Sequence, residues 1–96
     1  MHRAPAVYML ASKNNGVLYI GVTSDLVKRI YQHKKGEADG FTRRYNLHKL
    51  VYYELHGSME AAITREKQIK KWNRGWKIRL IESQNPDWID IYPDII

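Results

Sequence analysis

The stretch Val7-Tyr8-Met9-Leu10-Ala11-Ser12-Lys13-Asn14-Asn15-Gly16-Val17-Leu18-Tyr19-Ile20-Gly21-Val22-Thr23 decides how the chain is read. Residues 7–12 and 17–23 are rich in β-formers, and between them Asn14, Asn15 and Gly16 tolerate the positive φ of a tight turn. The pattern predicts a β-hairpin. With a connection of two or four residues, even positions of the first strand oppose odd positions of the second. Tyr8 and Tyr19 then fall on one sheet face.

Further along, Ser24 or Asp25 can accept hydrogen bonds from the free N–H groups of a helix start, and Leu26, Val27, Ile30 and Tyr31 follow at helical spacing to about residue 33. Arg29 and His33, four apart, lie on one face of that helix. Residues 36–46, polar and holding Gly40, read as a loop, and residues 49–56 as a third strand. Gly57-Ser58 opens a second helix over about 59–72, and a third runs over about 76–83, before Pro86 forbids continuation. The tail, with Trp88, Ile89, Ile91, Tyr92, Ile95 and Ile96, is too apolar to stay in water and is expected to pack back on the body. Strands and helices in this order make an α+β fold, and 96 residues fit one domain over 1–96 with residues 83–96 as its packed tail.

With 44% hydrophobic and 27% charged residues the chain is neither a disordered tail nor a fibre. Its longest apolar run, residues 4–11, falls far short of the ~20 residues of a membrane span. The absence of cysteine removes disulfides, cysteine nucleophiles and cysteine-based zinc sites, and fits an intracellular, cytoplasmic protein. Net charge is +6, and fourteen of the sixteen basic residues lie in two blocks. One holds Lys28, Arg29, Lys34, Lys35, Arg43, Arg44 and Lys49; the other Arg65, Lys67, Lys70, Lys71, Arg74, Lys77 and Arg79. The last fifteen residues carry acids and no base. Such segregation points to a polyanionic partner, with solvated basic helix faces as the plainer explanation.

At 100° per residue, Met59, Ala62, Ile63, Ile69, Lys70 and Asn73 form one stripe of the second helix, with Glu66 near its centre. A carboxylate on a buried stripe must be paired, hydrogen-bonded or metal-bound; an ion pair with a base from the first helix is the structural expectation. Two tyrosines on one face, an Arg and a His on another, and surrounding bases suit phosphodiester hydrolysis. Arg29 can hold a phosphate through its planar fork, and Glu66 can bind one hard cation such as Mg²⁺. Tyr8 or Tyr19 can take or relay the proton of the attacking water, with His33 as acid, base or phosphate contact. His2, His33, His48 and His56 show no zinc-ligand spacing, and the chain has no Gly-rich phosphate loop and no Ser elbow.

The ordered set Ala6-Val7-Tyr8, Tyr19-Ile20-Gly21 eleven residues on, then Arg29, His33 and Glu66, resembles the GIY-YIG endonuclease superfamily over nearly the whole chain. Residues 18–26, Gly40-Phe41-Thr42 and residues 65–70 look like its small stand-alone bacterial members, which are similar to the N-terminal incision domain of the bacterial repair excinuclease. The resemblance implies a three-stranded antiparallel sheet flanked by helices, Tyr8 as general base, and Tyr19 holding water or phosphate. It further implies Arg29 on the scissile phosphate, His33 assisting, and Glu66 on a single Mg²⁺ or Mn²⁺. An active-site asparagine after the glutamate is also implied, and of Asn73 and Asn85 the second is favoured. Ala-Val-Tyr replaces Gly-Ile-Tyr here, and Val22 stands where excinuclease relatives carry a lysine.

The leading reading is thus a metal-dependent endonuclease on DNA in preference to RNA, selective for structure rather than for a long sequence. Lys28, Lys34, Lys35, Arg43, Arg44, Lys67, Lys70, Lys71, Arg74 and Lys77 are the expected nucleic-acid contacts. A non-catalytic nucleic-acid-binding module is the alternative, and docking on a larger repair or processing complex through the tail a third reading.

Overall fold

Ser12 donates its N–H to the Val17 carbonyl (3.2 Å), closing the predicted hairpin over a four-residue connection. The computed structural model describes residues 4–13, 16–38 and 40–96, so the positive φ expected of Asn14 and Asn15 lies outside the described residues. Strands β1 (Ala6–Ala11) and β2 (Leu18–Thr23) pair antiparallel, and β3 (Lys49–Leu55) pairs antiparallel on the other side of β1. The sheet order is β2-β1-β3. All six residues of the central strand are buried, because both sheet faces are covered.

One face of β1, carrying Val7, Met9 and Ala11, packs with Ile20, Val51, Ala62, Ile69, Ile81 and Trp88. The last four come from helices α3 (Met59–Lys70) and α4 (Arg74–Gln84) and from the tail. The other face, with Ala6, Tyr8 and Leu10, packs on Leu26 and Ile30 of α1 (Leu26–Lys34), on Leu47, and on Ile91 and Ile95. Of the stripe expected on α3, Ala62 and Ile69 are buried, whereas Ile63 and Lys70 face solvent.

Asp25 caps α1, accepting from the Lys28 N–H, and Ser58 caps α3 through Ala61. At the far end of α1, Gly36 (φ 73°) takes the left-handed conformation. Its N–H meets the His33 carbonyl while that of Glu37 meets Gln32, a Schellman closure that stops the helix just past His33. The segment expected as a loop holds a short helix, α2 (Gly40–Arg44). Tertiary contact overrides weak local propensity there: Thr42 is buried, and its carbonyl accepts the N–H of buried Leu47 (2.8 Å).

β3 is bulged. Met9 faces Tyr52 and Leu10 faces Leu50, so Val51 is the unmatched residue. Asn85, just after α4, repairs this, donating its amide to the Val51 carbonyl (3.0 Å) and to the Ile89 carbonyl (2.8 Å) while accepting the Ile89 N–H. Gln84 bonds both backbone groups of Tyr53, and Ile91 donates to the Leu50 carbonyl. The tail therefore covers the outer edge of β3, which would otherwise invite strand pairing. Trp88, Ile91 and Ile95 are buried, as the apolar tail requires, with Ile89 and Ile96 left outside.

The hairpin register sets Gly21 directly opposite Tyr8. A Cβ at Gly21 would lie 2.5 Å from the Tyr8 hydroxyl oxygen, so the phenol occupies the space a side chain would take. Gly21→Ala is expected to destabilise the fold by about 1–3 kcal/mol, lowering Tm by roughly 4–8 °C per kcal/mol. Calorimetric melting checks it; since Ala ordinarily favours a strand over Gly, an unchanged or raised Tm would contradict the close packing.

Candidate active site

Strand alternation puts Tyr19, Gly21 and Thr23 on the β2 face that Tyr8 shares. Over the gap left by Gly21, the Tyr8 hydroxyl reaches His33 Nε2 of α1 at 2.8 Å. His33 Nδ1 lies 3.0 Å from the Thr42 hydroxyl on α2. Tyr8, His33 and Thr42 are each only 2% exposed, so these bonds run in a dry setting where an unpaired polar group would be costly. A neutral imidazole offers one donor and one acceptor, so the chain runs one way: Tyr8 to His33 to Thr42, or the reverse.

Tyr19 stands beside this line, its ring 6.2 Å from that of Tyr8 and 5.6 Å from that of His33. At the Tyr19 end of β2, a depression of about 300 Å³ is lined by Leu18, Tyr19, Ile20, Phe41, Lys70 and Lys77. At the Thr23 end, a polar one of about 280 Å³ is lined by Thr23, Ser24, Asp25, Lys28, Arg29 and Gln32. The Tyr8 hydroxyl lies between, on a stretch of strand ~13 Å long. Arg29 thus faces solvent one turn before His33, at the opposite end of β2 from Lys70 and Lys77.

Glu66 comes from α3, on the other layer, with its side chain 13% exposed. Its partner is Lys70 of its own helix (3.0 Å), and not the base from the first helix that its stripe position suggested. The i,i+4 spacing makes the nearest cation a neighbour one turn on, and Lys70, itself half exposed, reaches the Tyr19 depression. Among the described residues no group of three or more His, Asp or Glu is poised to share a metal ion. A single partly exposed carboxylate fits a hard, largely hydrated ion of the Mg²⁺ or Mn²⁺ kind, and does not fit zinc, which wants several nitrogen or sulfur ligands.

Asn85 does not join this group. Both its amide hydrogens are spent on backbone carbonyls, Val51 at the β3 bulge and Ile89 in the tail, two strands away from β2, which makes it a structural clamp. Asn73 caps α4, accepting from the Trp76 N–H (2.9 Å). Among the expected nucleic-acid contacts, Lys34 is drawn inward: it pairs with Asp90, donates to the His48 carbonyl (2.8 Å) and sits over the Tyr92 ring. Arg74 binds the Gly16 carbonyl of the hairpin turn. Lys35 and Arg44 lie over Tyr31 and Tyr45, while Lys28, Arg43, Lys67 and Lys71 are exposed or partly so and Lys77 is half-buried.

Two features receive no role from the sequence, where Thr42 stands only within the resembling stretch Gly40-Phe41-Thr42. Thr42 orients His33 from a helix that Gly40 disguised as a loop. The second is a polar knot on β3, where Glu54 accepts from Arg65 Nε (2.7 Å), from the Tyr52 hydroxyl, and bonds His56 (2.9 Å). Alternation of Tyr52 and Glu54 on one strand face is its only signal. Burial alone would raise the Glu54 carboxyl, yet the bonds from Arg65, Tyr52 and His56 outweigh it and hold it below its ordinary 4.5. The Tyr52 phenol is pushed well above its ordinary value by burial and by its bond to that carboxylate.

A family model described as the GIY-YIG catalytic domain matches residues 4–79. The chain is 40% identical over 79 residues to a UPF0213 protein of Clostridium perfringens, covering 82% of this chain and 84% of that protein. It is 35% identical over 75 residues to one from Staphylococcus saprophyticus (78% and 90% covered) and 37% over 65 residues to one from Haloquadratum walsbyi (68% and 73%). No solved structure matches. The matched span contains Tyr8, Tyr19, Arg29, His33 and Glu66 and stops before Asn85. The match supports a nuclease-type function with nucleic acid as substrate. No described helix is long and apolar enough to cross a membrane.

Because the Glu54 carboxyl is depressed in the fold, its contribution is present above about pH 4.5 and is lost as pH falls through the lower folded value. Glu54→Gln is therefore expected to cost roughly 1–3 kcal/mol at pH 7 and to flatten the acid limb of stability. Urea unfolding between pH 3 and 7 checks this; an equal loss at every pH would show that packing, not charge, is what Glu54 supplies.

Proposed function

The chain belongs to the GIY-YIG family, and on that premise we propose a divalent-metal-dependent endonuclease that hydrolyses phosphodiester bonds, acting on DNA in preference to RNA. The observation that carries it is the buried bond from the Tyr8 hydroxyl to His33 Nε2, with Thr42 on the other ring nitrogen. In this reading His33 is neutral and protonated at Nδ1, giving that hydrogen to Thr42 and leaving Nε2 to accept from Tyr8. As water attacks phosphorus, its proton passes to the Tyr8 oxygen while the phenol proton passes to Nε2. The phenol stays neutral, and the positive charge comes to rest on an imidazolium that the strand's Tyr8 and the helix's Thr42 hold in place.

Tyr19 positions the water or the phosphate, and Arg29 grips a phosphate with paired N–H groups. Glu66 would hold a divalent ion, which would supply positive charge to offset the negative charge that builds at phosphorus and on the departing 3′ oxygen. Lys70, one turn on, orients the Glu66 carboxylate (3.0 Å). As the P–O3′ bond breaks, the departing oxygen takes a proton from solvent and the imidazolium later returns its proton to solvent, so the products are a 5′ phosphate and a 3′ hydroxyl. Lys28, Lys35, Arg43, Lys67, Lys71 and Lys77 supply sequence-independent attraction that falls steeply with salt.

Incubation with Mg²⁺ and labelled single-stranded, duplex, flapped and branched substrates tests this. Tyr8→Phe is expected to lower the cleavage rate by about 10²–10⁴-fold, and Glu66→Ala to abolish cleavage while keeping metal-free binding. Full activity in Tyr8→Phe would remove the tyrosine from the mechanism. Binding without cleavage by the unaltered protein, with Mn²⁺ also supplied, would favour the non-catalytic module.

A further inference from the structure

Four aromatic rings lead from the buried tyrosine to the surface. Tyr8, Tyr19, Phe41 and Tyr45 follow one another with centroid separations of 6.2, 6.1 and 4.7 Å. Exposure rises from Tyr8 to Phe41 and then holds: Tyr8 is buried, Tyr19 is half-buried, and Phe41 and Tyr45 are 43% and 42% exposed. Two adjacent rings held open to water, Phe41 on a short helix and Tyr45 just past its end, do little for the core. Cations stand beside them: Lys70 and Lys77 line the depression that Phe41 shares with Tyr19, and the Arg44 guanidinium lies 5.6 Å from the Tyr45 ring centre.

A flat apolar face flanked by ammonium groups is complementary to one nucleotide, its base on the ring and its phosphate on the lysines. In a duplex both faces of every internal base are covered by neighbours, so only an unpaired base can use such a platform. We infer that Phe41, backed by Tyr45, stacks one unpaired nucleobase at the Tyr19 end of the site. The inference rests on the nuclease reading and narrows its substrates to strands with an unpaired base at the cut: single strands, flaps and frayed ends. Thr42 is the next residue on the same helix, so the element that receives the base also sets the orientation of His33.

Binding measured by fluorescence anisotropy without any divalent ion separates this inference from the catalytic one. The probes are a single-stranded oligothymidylate and an abasic strand of equal length and charge. Phe41→Leu is expected to weaken binding of the base-bearing strand by about 5- to 100-fold, to leave the abasic strand unaffected, and to be rescued by Phe41→Trp. Equal weakening of both strands, or of neither, would overturn the platform. Should Phe41→Leu fail to fold by circular dichroism, Tyr45→Ala at the exposed rim is read in the same way. Base-dependent binding with no cleavage in Mg²⁺ would leave the platform standing and remove the nuclease; cleavage with no base dependence would do the reverse.

Discussion

A phenol buried on the central strand of a sheet has to find a hydrogen-bond partner, and the way Tyr8 finds one organises the rest of the molecule. Its hydroxyl reaches His33 across the gap that Gly21 leaves, and His33 in turn reaches Thr42. One line of bonds thereby ties together the hairpin register, the end of α1 and the position of α2. Each anchor has a local cause. The Tyr8–Gly21 pairing comes from the four-residue hairpin, the stop after His33 from Gly36, and the placement of Thr42 from the Leu47 backbone bond.

The two outer strands are treated in opposite ways. β3 is bulged, and its edge is occupied by Asn85, Gln84 and Ile91, so that side of the sheet is closed by the chain's own tail. Along β2 the side chains open into two depressions, one lined by Lys70 and Lys77, the other by Lys28 and Arg29. Glu66 enters from the opposite layer and meets this region through Lys70. The division puts stability at one edge of the sheet and positive charge at the other, which is how a chain of 96 residues accommodates both.

Much of this is legible in the residues because it is governed by short-range rules. Period-two alternation places Tyr8 and Tyr19 together whatever else the chain does, and the caps at Asp25 and Ser58 follow from local chemistry. What escapes depends on contacts distant in sequence. The bulge at Val51 has no local signature, so the pull it exerts on Asn85, 34 residues away, is invisible in the sequence, and an active-site part for Asn85 looks reasonable there. The stripe around Glu66 looks buried and calls for a partner from another helix, whereas the helix turns the carboxylate far enough outward for Lys70 to reach it. Residues 40–44 give no helical pattern, and the buried hydroxyl of Thr42 together with the Leu47 backbone bond explains why they turn.

The proposed relay depends on which way the protons point in the Tyr8–His33–Thr42 line, and nitrogen-15 NMR of the His33 ring reads this directly. It predicts a neutral imidazole near pH 7, protonated at Nδ1 and bare at Nε2, so that Tyr8 donates and a relay toward His33 is open. A ring protonated at Nε2 would make Tyr8 the acceptor, leave no lone pair to receive its proton, and contradict the proposed base.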